Sequence, residues 1–153
     1  MKKSMIVPLI LATAIGGAAV AGGHAGNPAV KARQAHMGLY NFHAGYLGGV
    51  MRGRVDYDAG TAQGAANALV ALANIDQSRM WPPGSDADSI EGTRAKAEIW
   101  ADFPGVVKKL NELKETTAAL AAVAGDGEDA MKAALGPVFG VCGACHEAYR
   151  VPQ

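Results

Sequence analysis

Near its C-terminus the chain reads Cys142-Gly143-Ala144-Cys145-His146, two thiols three residues apart with an imidazole directly after the second. On a helix turning about 100° per residue, Cys145 lies about 300° from Cys142 and His146 about 40° from it, so the three groups share one face. Each thiol can then form a thioether with a vinyl group of a haem, which leaves the imidazole beside them for the iron. C-x-x-C-H is the attachment signature of c-type haem. Three other chemistries use the same residue types. A structural zinc site needs four ligands, and His24, His36 and His43, the remaining histidines, form no compact second pair. A thioredoxin-like redox pair sits where a strand enters a helix, and no strand pattern lies near Cys142. A plain disulfide is the simplest alternative in an oxidising compartment. Motif, position and an export-type leader together favour haem attachment through Cys142 and Cys145, with His146 as the proximal iron ligand.

These side chains need a helix to carry them. A helical stretch is predicted from about Glu128 to Arg150, with Leu135, Val138, Cys142, Cys145 and Tyr149 on one face and a bend or restart at Gly136-Pro137. Three more helices precede it. The first covers about Asn27 to Met51, with Pro28 in its first turn and one stripe through Val30, Arg33, Met37, Asn41, Ala44, Gly48 and Met51. Ala44 and Gly48 leave room for something bulky to approach that backbone. The second runs from about Ala59 to Gln77 and ends before Trp81-Pro82-Pro83-Gly84-Ser85. A polar connection follows, with a turn of helix near Lys96 to Trp100, and then a third helix from Pro104 to Val123. Ala and Gly are abundant while β-branched and aromatic residues are sparse, which favours packed helices. No strand or internal repeat is legible. The expected fold is all-α, an antiparallel four-helix bundle.

The N-terminus has its own logic. Lys2 and Lys3 precede an apolar run, Met5 to Ala14, and small residues follow. Basic, then apolar, then small is the layout of a secretory signal peptide; the run falls short of the roughly 20 residues that span a bilayer. Residues 1–25 are read as a leader cleaved after Ala21 or Ala25, and 26–153 as one domain with no membrane span after processing. Without the two lysines the domain keeps 12 basic against 14 acidic residues. It has no basic run suited to phosphate, so nucleic acid is not an expected partner.

Several segments resemble the class II c-type cytochromes, the cytochrome c′ family and its low-spin relatives of the cytochrome c-556 type. They are the attachment motif near the C-terminus with its tail Cys145-His146-Glu147-Ala148-Tyr149-Arg150, Gly53 with Tyr57-Asp58, the Trp81–Ser85 loop, and Ala95-Lys96-Ala97-Glu98-Ile99-Trp100. The resemblance implies one covalent haem c in a four-helix bundle, attached outside the cytoplasm, hence a periplasmic protein. It places Met37 at the position facing the open side of the haem. It also likens Arg33 to an arginine that pairs with a haem propionate, and Arg150 to the basic residue near the proximal histidine.

Two functions follow from the resemblance. With Met37 as distal ligand opposite His146, the protein is a low-spin electron carrier that docks with redox partner proteins and is no enzyme. With Met37 as packing only, a methionine being a common gap-filler in bundles, the iron is five-coordinate and binds a diatomic gas, nitric oxide or carbon monoxide. Family members pair as homodimers through their first two helices. The flank carrying His36, Tyr40, His43 and Leu47 is the surface expected to do so here, which makes His36 and His43 surface or interface histidines. Trp81 and Trp100 read as core or loop anchors.

Overall fold

Each of the first three long helices starts on a side chain that takes up a free backbone N–H. Asn27 Oδ1 accepts from Ala29 N at 2.9 Å and opens α1, Pro28–Met51. Asp58 Oδ1 accepts from Thr61 N at 2.7 Å and opens α2, Ala59–Ala73. A single turn, α3 (Glu98–Ala101), precedes α4 (Phe103–Ala121), where Asp102 Oδ1 accepts from Gly105 N at 3.1 Å. The last helix, α5 (Glu128–Tyr149), has Glu128 and Asp129 in its first turn, the acidic end that the helix dipole favours. The computed structural model describes residues 26–152, and the leader read at 1–25 lies outside them.

α1 packs on α2, α2 on α4, α4 on α5 and α5 back on α1. Polar ties fix the directions: Gln63, early in α2, donates to Ala121 O at the end of α4 (2.7 Å) and accepts from Gly125 N (3.1 Å). This closed ring is the antiparallel four-helix bundle expected from the sequence. Among the described residues there is no strand, only an isolated bridge between Ala95 and Arg150. Nor is any helix there long and apolar enough to cross a membrane.

The hydrophobic core fills one end of the bundle. Leu47, Val50, Ala62, Ala66, Leu69, Leu120, Ala124, Met131, Leu135 and Val138 are buried together, and the alanines of α2 let its neighbours close in. Gly48 admits the approach foreseen there: a Cβ on it would stand 3.1 Å from the ring of Phe139. The chain leaves α1 through Gly53 at φ +65°, a left-handed turn that glycine adopts without steric cost.

Three expectations change. α2 ends at Ala73 rather than Gln77. Asn74 Nδ2 donates back to Val70 O (2.9 Å) and Asp76 Oδ1 accepts from Ser78 N (2.9 Å), so side chains compete for the helix's own partners and a 3₁₀ turn, Ser78–Met80, follows. α5 runs through Pro137 without a restart. Of the flank expected to make the dimer contact, Tyr40 and His43 stay partly exposed but His36 and Leu47 are not free surface. His36 is 4% and Leu47 0% exposed within this one chain, His36 against α2 and Leu47 in the bundle core. His36 Nε2 lies 3.0 Å from Leu72 O and donates to it, since a carbonyl can only accept.

Candidate haem site

At the end of the bundle opposite the core, the helices frame a half-open cavity of about 310 Å³ instead of packing together. That is the low end of the range for ligand pockets. α5 contributes Cys145, His146 and Tyr149; α1 contributes Arg33 and Met37; α4 contributes Val106 and Leu110; and Ile99 and Trp81 complete an apolar lining. Cys142, one turn back along α5, is half-buried against the core. The face of α5 therefore begins in packed leucine and valine and ends at the cavity, as the alternating three- and four-residue steps require.

Both thiols are held above their ordinary pKa by burial, Cys142 also by its neighbour Cys145. They stay protonated at neutral pH, which is the reverse of what a redox-active pair needs. His146 is shifted the other way: burial first, then the charges of Arg150 and Arg94, lower its pKa. The neutral imidazole is the form that has a lone pair for a metal. Among the described residues no group of three or more His, Cys, Asp or Glu could hold a metal ion, which removes the zinc alternative there.

Arg33 is placed at the cavity but is already engaged. Nη1 donates to Met80 O (3.0 Å) and Ser85 Oγ (2.7 Å), and Nη2 to Ser85 O (2.7 Å) and Thr93 Oγ1 (3.3 Å). Its Cζ lies over the Trp81 ring, 4.7 Å from the ring centre. Gln34 Nε2 donates to Gly92 O at 2.7 Å. Arginine 33 is thus a clamp on the 80–93 segment, a use the propionate expectation did not contain. Trp100 Nε1 donates to Trp81 O at 3.1 Å, so the two tryptophans anchor the loop as expected. Beyond it, Lys96 N donates to Tyr149 O (3.0 Å) and Val151 N to Arg94 O (2.9 Å). One belt therefore joins the first turns of α1 to the last turn of α5 across the cavity.

Arg150 is exposed at the end of α5, with Nη1 3.4 Å from His146 Nδ1. His43 is only partly exposed and lies outside the cavity lining. Sequence reasoning missed Ile99, Val106 and Leu110 as lining, and Asp102, whose carboxylate accepts from Tyr149 Oη at 2.6 Å. The pattern Asp102-Phe103-Pro104-Gly105 signals a helix start, but nothing local points it toward α5.

A thiol, a neutral imidazole and a thioether around a largely apolar cavity, with a second thiol one turn back along α5 and the exposed Arg150 at the rim, fit a large apolar metal-centred ring bearing carboxylates. Comparison with known proteins agrees. The profile of the Cytochrome C' family matches residues 28–150. Cytochrome c′ of Cereibacter sphaeroides is 39% identical over 124 residues, 81% of this chain and 83% of that one. The solved cytochrome c′ from Rhodobacter spheriodes superposes with a TM-score of 0.80 at 38% identity, covering 82% of this chain and 96% of that one. A ferrous variant of cytochrome c prime from Alcaligenes xylosoxidans, solved with bound NO, superposes at 0.69 with 30% identity, covering 82% and 94%.

Proposed function

The chain belongs to the cytochrome c′ family, and from that premise we propose that it is a periplasmic haem protein that binds a neutral diatomic gas, nitric oxide or carbon monoxide. The family carries haem c held covalently through two cysteines, and Cys142 and Cys145 are the two in this chain. When bound, the haem would supply a one-electron iron centre able to take a small ligand. His146 is the protein's ligand on the α5 side. Arg150, with Nη1 3.4 Å from His146 Nδ1, would act on that imidazole through its charge.

The observation that carries the gas reading is the state of the α1 wall. Four of the five Arg33 N–H groups and one of the two on the Gln34 amide are committed to the loop, and beside them the Met37 thioether, which has no proton to donate, lines the cavity. A wall whose donors are mostly committed elsewhere suits NO or CO better than a ligand that must be hydrogen-bonded. The NO-bound relative supports the same reading.

A second reading is favoured by the same placement. Met37 and His146 line one cavity from two helices, the arrangement a low-spin His/Met electron carrier of the c-556 type would use, handing single electrons to redox partner proteins. On both readings residues 1–25 are a leader, and neither asks the protein to make or break a substrate bond.

An absorption spectrum of the holoprotein, oxidised and reduced, with and without carbon monoxide, decides between them. The expected result is a broad high-spin reduced spectrum that shifts on adding carbon monoxide. Met37→Ala should then accelerate carbon monoxide association about tenfold, the removal of roughly 1.4 kcal/mol of steric barrier. A sharp low-spin spectrum with a sulfur-to-iron band and no response to carbon monoxide would overturn the gas reading in favour of Met37 ligation.

A further inference from the structure

The last turn of α5 carries more restraint than a helix end on the surface needs. Tyr149 lies one turn beyond His146, its ring lines the cavity, and its hydroxyl donates to Asp102 Oδ2 at 2.6 Å. The other oxygen of the same carboxylate caps α4 through Gly105 N. That hydrogen bond pushes the Tyr149 phenol up to about 12, and with the Gly105 N–H it holds Asp102 below the usual carboxylate range. A protonated phenol on an ionised carboxylate is a short, charge-assisted pair.

Gly105 makes room for it. A Cβ there would overlap Asp102 Oδ2 and Tyr149 Oη, with Asp102 Cγ only 2.7 Å away. The backbone of Tyr149 is held as well, by Lys96 N. The start of α4, the belt and the end of α5 therefore meet at one residue, a single turn from the histidine.

We propose that Tyr149 is a positioning residue for His146: through its hydrogen bond to Asp102 it holds the last turn of α5 against α4 and so sets the orientation of the imidazole toward the haem iron. This rests on the assignment of His146 as the proximal ligand. It assigns Gly105 a role too, as the position that must stay without a side chain.

The test is the proton NMR spectrum of the ferric holoprotein, in which paramagnetic shifts of the His146 ring protons depend on ring orientation. Tyr149→Phe, which removes one oxygen, is expected to move those resonances. Gly105→Ala, which displaces the hydroxyl while keeping both partners, is expected to move them in the same sense. A Tyr149→Phe spectrum that superposes on the parent's overturns the proposal, even if the melting temperature falls, because Tyr149 would then be an anchor only. So does a Gly105→Ala spectrum identical to the parent's. The parent's shift range reports the spin state, and absence of shifted imidazole resonances would show that His146 is no ligand. Failure of the function reading is thereby seen separately from failure of the latch.

Discussion

The Cys142→Ser/Cys145→Ser double variant is expected to yield a chain from which acidified acetone strips all the haem, whereas the parent keeps its pigment in the protein pellet. The argument is one of bond type. A thioether survives denaturation, while an iron–imidazole bond and apolar contacts do not, so only the two sulfurs can hold haem on an unfolded chain. Each single variant keeps one thioether and should remain pigmented after extraction. The fold tolerates the change unevenly. Cys142 is half-buried against the core, and a hydroxyl left without a partner there costs about 1–3 kcal/mol. Cys145 lines the cavity, where serine costs little packing. Pigment remaining in the pellet of the double variant would overturn covalent attachment at these positions.

Arg33→Ala is the second large effect, and it falls on stability. Arg33 is 5% exposed, and its two terminal nitrogens make four hydrogen bonds to the 80–93 segment. Among their acceptors, Ser85 is 1% exposed. Truncation leaves the buried Ser85 carbonyl without this donor and Trp81 without its cation. Losing one partner of a buried network costs about 3 kcal/mol. At roughly 3–4 °C per kcal/mol for a domain of this size, the melting temperature should fall about 10 °C, read by far-UV circular dichroism. Arg33→Lys should recover little, because one ammonium cannot reproduce a planar fork that reaches Met80, Ser85 and Thr93 together. A melting curve within 2 °C of the parent's would mean that the loop holds itself.

The two cases differ in how far each was legible beforehand. The attachment motif is local: five consecutive residues and the helical turn angle place two thiols and an imidazole on one face, and no distant contact is needed to see it. Helix starts are local as well, because Asn27 and Asp58 act on N–H groups two or three residues away. That range is why α1 and α2 start within a residue of their expected positions.

Tertiary structure decided what depended on partners far along the chain. Arg33 sits on its predicted stripe, yet oxygens 47 to 60 residues away claim its guanidinium. His36 reads as a surface residue until α2 covers it and Leu72 supplies an acceptor. Asp102 looks like an ordinary cap until Tyr149, 47 residues on, uses its second oxygen. Residue type and helical period determined which groups carry the chemistry and on which face they stand. Which donors were already spent, and which helix end was clamped beside the histidine, followed only from packing, because a side chain's free valences depend on what the fold brings within 3 Å of it.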